Sequence, residues 1–208
     1  MPLPPFAADP ATAWTLVEDN PFALVVTPGP DGIPLATRAP VVRAPDDPDV
    51  LWGHLAWANP HWRSFAGGSP VLAVFSGPHG YVSPSLYDTT PAVPTWNYAE
   101  IQAVGRITPF EDPERTLAVL DRTIAVLEAG RPKPWDPRPS REHFRRILSG
   151  IVAFEIAVES VGGTVKLSQD KPAHIRERVA GHFRADPAGR HAELADLMDR
   201  THSQEAPR

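Results

Sequence analysis

The sequence predicts an α+β fold that is mainly β: an antiparallel sheet or barrel with helices added, most of them towards the C-terminus. Three observations predict it. Short β-branched or alternating apolar runs, separated by Gly, Pro and Asp, fill the first 110 residues. No helical stretch among them is long enough for repeated parallel crossovers. Past residue 110 helix signals take over, interrupted by one further strand-like run, Ile151–Val158.

The elements follow in order. Asp9-Pro10 is an N-cap with proline at the first helical position, so a helix carrying Trp14 and Val17 runs to about Asn20. Phe22–Thr27 and Ile33–Arg43 flank the turn cluster PGPDG and read as a hairpin. Ala44–Asp49 is a loop and Val50–Leu55 a third strand. Asn59-Pro60 opens a short helix that ends after Phe65 at Gly67-Gly68. Val71–Phe75 and His79–Ser83 read as two strands around a Gly77-Pro78 turn. A proline-bearing excursion, Pro84–Thr95, leads into the strand Tyr98–Ile107, giving five or six strands before residue 110. Asp112-Pro113 caps a helix to Ala129, with Leu117, Leu120, Ile124 and Leu127 at helical spacing and Gly130 as the stop. Ser140 caps another helix to Leu148. Lys171-Pro172 opens one through Phe183, Pro187 opens a last through Arg200, and the tail after Thr201 is expected to fray. The expectation is one domain over 1–208, with most barrel strands in 1–110 and the helices, one strand and the tail in 111–208.

Composition narrows the function classes. The chain has 208 residues, 42% of them hydrophobic and 22% charged, which is a globular balance able to bury a core. No apolar run approaches the ~20 residues of a membrane span. The start, MPLPPFAADP, lacks the basic and apolar regions of a signal peptide, so a cytoplasmic location is expected. Zero cysteines exclude disulfides, thiolate metal sites and a cysteine nucleophile. A net charge of -5 with scattered basic residues disfavours DNA binding. The 26 prolines read as rigid turns and helix starts, not as a linker.

Glycine-rich phosphate loops, GxSxG and HExxH are all absent. What remains is aromatic. Trp52, Trp57, Trp62, Tyr81, Tyr87, Trp96 and Tyr98 fall within 47 residues, interleaved with His54, Asn59, His61, Arg63, His79, Ser83, Ser85, Thr95 and Asn97. Aromatic faces with amide and imidazole donors suit a planar heterocycle or a porphyrin. Taken singly, the same aromatics are expected in the core, because they bury large areas in any barrel.

Four blocks, GHLAWANPHWRSF (53–65), VFSGPHGYVSPSLY (74–87), VPTWNY (93–98) and VKLSQDKP (165–172), resemble the signature blocks of the PaiB-like family of FMN-binding negative transcriptional regulators. The resemblance spans nearly the whole chain in the same order. It implies a split β-barrel of the flavin-reductase-like type, a homodimer, and cofactor sites at the subunit interface. Arg38 in TRAP, Gln102 after TWNY, and Asp170 in KLSQD depart from the regulator pattern and lean towards a heme-binding branch, the piperazate synthases. That branch implies heme b, with FMN as the alternative cofactor. It also implies cyclisation of side-chain N-hydroxylated L-ornithine to L-piperazic acid with loss of water.

Under this resemblance His54 is the axial-ligand candidate, with His61 and His79 weaker ones, since imidazole suits iron. Asn59, Trp62, Arg63, Ser83, Thr95, Trp96 and Asn97 are the other cofactor-binding candidates. Lys166 is the acid or base, and Arg38 binds the substrate carboxylate, a role Arg63 could also fill. With flavin instead, Arg63, Lys166, Ser83 and Thr95 become phosphate or ring-edge donors.

Overall fold

The computed structural model describes residues 6–110 and 112–205, the side chains of 203–205 excepted. The chain divides into two units, each treated by itself: Val17–Phe75 with Gln102–Val161, and Met1–Leu16 with Ser76–Ile101 and Gly162–Arg208.

The first unit is built by strands. β1 (Phe22–Thr27) and β2 (Leu35–Arg43) form the expected hairpin, with Phe22 opposite Pro40 and Thr27 opposite Leu35. β3 (Val50–Ala56) pairs antiparallel with β2 and with β6 (Ile151–Lys166), His54 lying opposite Ala153. β4 (Ser69–Val82) pairs antiparallel with β1, and β5 (Thr95–Pro109) completes a closed barrel in the order β1-β2-β3-β6-β5-β4. Alternation decides the inside: Leu51, Gly53 and Leu55 of β3 are buried, while Val50, Trp52 and His54 take the other face. Phe65, Phe75, Phe154, Ile107 and Ile156 fill the core without exposure, and Phe65 meets Phe154 edge-on at 5.3 Å. Outside, α2 (Pro113–Glu128) packs on β2 and β3, its N-terminus capped by Asp112 accepting from the Glu114 amide.

The second unit holds the distal ends of β4, β5 and β6 and two packed helices, α4 (Ala173–Ala185) and α5 (His191–Glu205). Ile175, Val179, Ala180 and Phe183 of α4 and Leu194, Ala195, Leu197 and Met198 of α5 are buried. They recur at three- and four-residue spacing, the apolar stripe of an amphipathic helix. α1 (Pro10–Asp19) begins in this unit, and its cap Asp9 accepts from the amides of Ala11 and Thr12. No helix among the described residues is long and apolar enough to cross a membrane.

The structure corrects several expectations. Val71–Phe75 and His79–Ser83 are one strand, β4, and Gly77-Pro78 is no turn. Gly77 is there for close approach: a Cβ would stand 3.1 Å from the Ala99 carbonyl oxygen. Among the described residues, five strands therefore precede residue 110. Ile151–Val158 is the first half of a strand that continues to Lys166, because the half-exposed Val161–Thr164 stretch keeps pairing where its apolar pattern lapses. The short helix Pro60–Phe65 is 3-10, capped by Asn59 as expected. Ser140 precedes α3 (Arg141–Ile147) but makes no side-chain cap, since it already belongs to a helical turn. α5 starts at His191, four residues after Pro187, where Gly189 at φ +53 ends the turn. It continues through Glu205, so the expected fraying after Thr201 is not seen there; residues 206–208 lie outside the described residues. In α2 the buried face is Thr116, Leu117, Val119 and Thr123, and Leu127 is 47% exposed. Helical hydrophobicity there exceeds what β2 and β3 cover.

Candidate functional site

The second unit contains a cavity of about 600 Å³ at the meeting of three sequence blocks: Tyr87–Asn97, Lys166–Ser168 and Asp170–Ile175. Thr95 opens β5 and Lys166 closes β6, which brings them together across 71 residues. The Lys166 ammonium donates to Thr95 Oγ1 at 2.5 Å and lies over the Phe6 ring at 5.7 Å. An ammonium carries three donors, so two remain for a ligand. Asn97 sits on the same face of β5 as Thr95, fully buried, accepting from Ser168 Oγ at 3.1 Å and donating to Met198 Sδ at 3.5 Å.

The KLSQ block folds to present Lys166 through a side-chain brace. Gln169 Oε1 accepts from the Leu167 amide and its Nε2 donates to the Val165 carbonyl, both at 2.6 Å. Ser168 is held left-handed at φ +62 while almost wholly buried. A non-glycine residue in that region is strained, and such strain concentrates at functional sites. Tyr87 also lines the cavity, buried, with its hydroxyl unpartnered.

The other candidates of this unit stand apart from that group. Ser83 caps the 3-10 turn Pro84–Leu86, accepting from the Ser85 amide at 3.3 Å. Trp96 alternates to the opposite face of β5, 52% exposed, with His79 at 5.9 Å and Tyr81 at 6.0 Å.

In the barrel unit, Asn59, Trp62 and Arg63 come together on the 3-10 helix. Asn59 Oδ1 accepts from the His61 amide at 3.0 Å, and its Nδ2 donates to Thr37 Oγ1 at 3.3 Å. Trp62 stacks on Trp57 at 4.5 Å and donates to the Trp57 carbonyl, while the Arg63 guanidinium lies 4.9 Å over the Trp62 ring. Trp57, Trp62, Phe110, Arg145, Leu148 and Val152 border an apolar cavity of about 880 Å³. Arg38 is exposed and braces the hairpin by donating to the Phe22 carbonyl at 3.2 Å.

His54 and His61 differ in a way that bears on metal binding. Burial pushes both imidazoles below the usual histidine value near 6.5, so both are neutral at pH 7. His61 spends both ring nitrogens, on Thr27 Oγ1 and Thr37 Oγ1, each at 2.9 Å. His54 Nδ1 is buried with no partner. A neutral imidazole with unspent hydrogen-bonding capacity fits an iron ligand; an imidazolium would not. His54 shares its face of β3 with Trp52, which packs edge-on against Phe110 at 6.4 Å.

The aromatic residues are not core as a set. Of the seven Trp and Tyr between Trp52 and Tyr98, Tyr87 alone is buried. Phe, Leu, Ile and Val fill the interior instead, which frees Trp57, Tyr81 and Trp96 for the surface. Of the residues singled out in the sequence, Thr95, Asn97, Lys166 and, from the aromatic set, Tyr87 line this cavity; Ser168 also lines it and is quoted only within its block. Arg176 and Lys171, beside the same cavity, carry no motif signal beyond the KP pair.

Comparison with known proteins agrees with this architecture. Residues 2–160 match the family described as "Putative FMN-binding domain". The "Protease synthase and sporulation protein PAI 2" of Bacillus subtilis (strain 168) is 34% identical over 189 residues, covering 89% of each chain. An FAD and heme binding protein from Mycobacterium smegmatis superposes with a TM-score of 0.60 at 18% identity, over 84% of this chain and 79% of its own. The flavocytochrome Anf3 from Azotobacter vinelandii gives 0.56 at 16% identity, over 77% and 69%. These two structures carry the fold alone, an α+β split barrel of the flavin-reductase-like type.

Proposed function

The chain belongs to the FMN-binding domain family, and we propose that within it this protein is a heme-dependent cyclase that forms an N–N bond. Its substrate would be side-chain N-hydroxylated L-ornithine, its product L-piperazic acid, and its setting natural-product biosynthesis. The observation that carries the reading is the Lys166 ammonium held on Thr95 Oγ1 at the wall of a cavity of about 600 Å³, large enough to admit an amino acid. Heme b is the proposed cofactor, held through His54, whose neutral ring and unpartnered Nδ1 fit the role. A homodimer in the cytoplasm, with no DNA partner, completes the proposal.

Bound iron would supply Lewis acidity that weakens the substrate N–O bond. The chain's own residues handle the protons. Thr95 fixes the Lys166 ammonium at the cavity wall. Lys166 gives a proton to the departing hydroxide and recovers one from the α-amine that attacks. The N–N bond forms as the N–O bond breaks, the bonding pair leaves with oxygen, and one water is released. No external oxidant or reductant is required. Holding both nitrogens of one molecule in one orientation provides the proximity advantage, with effective molarities on the order of 10⁵–10⁸ M in well-oriented cases. Asn97 and Ser168, locked to each other, keep that wall rigid.

The test is optical first. Protein purified with heme should show a Soret band that His54→Ala abolishes, and should convert the hydroxylated ornithine to a product lighter by one water. A yellow, fluorescent protein with no Soret band would replace this reading with the flavin one. That second reading is favoured by the family match over residues 2–160 and by the Lys166 and Thr95 donors, which suit a phosphate equally. It would make the protein an FMN-binding reductase or regulator.

A further inference from the structure

The cavity that holds Lys166 and Thr95 has a second polar wall that the proton chemistry leaves unused. Tyr87 forms part of it, with a buried hydroxyl that has no hydrogen-bond partner. Lys171 also lines it, with its ammonium 5.4 Å from the centre of the Tyr87 ring. Arg176 stands behind, one guanidinium nitrogen donating to the Lys171 carbonyl at 3.3 Å while its buried Nε has no partner. Buried polar groups are ordinarily satisfied, so the unpartnered hydroxyl of Tyr87, a residue of the cavity wall, points to a ligand that satisfies it.

The pairing of charges gives the sign of that ligand. Of the charged side chains that line the cavity, Asp88 and Asp170 are each paired with a cation, and Lys166 is held by a hydroxyl instead of a carboxylate. Asp170 pairs with Lys171 at 2.9 Å, and Asp88 pairs with Arg178. Burial raises the Tyr87 phenol above its ordinary value, so it stays a hydroxyl donor across the working pH range. A phenol O–H, an ammonium and a guanidinium N–H are all donors suited to a carboxylate.

We infer that Tyr87 and Lys171, backed by Arg176, form the subsite that binds the carboxylate of the substrate amino acid, in place of the exposed Arg38. The inference rests on the cyclase reading and assigns it a specificity determinant. It places the substrate with its carboxylate on one wall of the cavity and its side chain towards Lys166. The phosphate of a flavin shares the chemistry of an anion, and binding measurements separate the two sources.

The experiment uses the full-length wild type, Tyr87→Phe and Lys171→Gln. L-ornithine, which lacks the leaving oxygen and cannot react, and 1,4-diaminobutane, its decarboxylated counterpart, are titrated calorimetrically. The wild type should prefer L-ornithine about tenfold or more, each variant should lose most of that preference, and diamine binding should be unchanged. Equal L-ornithine affinity in wild type and both variants overturns the subsite. So does FMN binding that weakens in Lys171→Gln while L-ornithine binds to none of the proteins, since the anion would then be a phosphate. A turnover assay with the hydroxylated substrate keeps the two readings apart. Product formation with an unchanged KM in both variants sinks the subsite and leaves the cyclase. Selective L-ornithine binding without product sinks the cyclase and leaves an amino-acid carboxylate site.

Discussion

The turn around His61 and the cavity wall around Tyr87 are both buried and polar, yet they dispose of their polar atoms in opposite ways. Around His61 each group is spent: Thr27 bonds the ring Nε2 and Ser64 Oγ, and Thr37 bonds the ring Nδ1 and Asn59. Around Tyr87 the phenol hydroxyl and the Arg176 Nε are left over. The first arrangement pins the 3-10 helix to β1 and β2. The second reserves capacity for something that is not protein. The same contrast separates His61 from His54 within seven residues of sequence, and burial alone does not distinguish them, because it depresses both imidazoles.

That contrast can be broken or sharpened in steps of decreasing size. Phe154→Ala, at the wholly buried contact with Phe65, should cost about 3–5 kcal/mol in urea unfolding, because the barrel interior cannot collapse on the cavity left. A change below about 1 kcal/mol would mean the barrel core is not where stability resides. Lys166→Met should lower turnover about 100-fold or more, near 2.7 kcal/mol, with an unchanged melting curve. Lost stability instead of lost turnover would make Lys166 structural.

The two histidines come next. His61→Ala should lose about 1–3 kcal/mol, since it removes a buried ring and one hydrogen bond from each of Thr27 and Thr37, while His54→Ala should change stability by less than about 0.5 kcal/mol and remove cofactor binding. Equal losses in chemical denaturation would erase the distinction between them. The pH profile is a smaller effect of known sign. The His61 pKa is lower in the folded chain than its unfolded value near 6.5, so the unfolded state binds the proton first. Stability should be full above pH 6.5, fall as the pH drops through 6.5 towards the folded value, and level off below it. His61→Gln should flatten that slope in midpoints measured between pH 5 and 7.5. Smallest of all, Arg184→Ala removes a half-exposed ion pair with Asp199 and should cost no more than about 1 kcal/mol by thermal melting, less at high salt.

Much of the barrel was legible beforehand. Phe22–Thr27 is predicted to the residue, because a short β-branched apolar run beside a Gly/Pro/Asp turn cluster marks a strand locally. Asn59 and Asp112 are read correctly as caps because capping is local chemistry within three residues. The Gly77-Pro78 break was misread, because a dipeptide that marks a turn in isolation also serves where two strands press together. The buried face of α2 was misread because hydrophobic spacing states what a helix can bury, and only the neighbouring sheet states what it does bury.

By itself the sequence determined the α+β class, the β1–β2 hairpin, the Asp9, Asn59 and Asp112 caps, and the four blocks that tie the chain to its family. These are properties of neighbours along the chain, where periodicity and capping operate. Tertiary structure decided that Lys166 meets Thr95, that Ser168 locks Asn97, and that the Trp and Tyr residues, Tyr87 excepted, stay out of the core. It also decided that His54 and Tyr87 keep unspent hydrogen-bonding atoms. Each of those facts concerns which distant groups share a volume and which bonds are left over once they do, and no local pattern encodes a remainder.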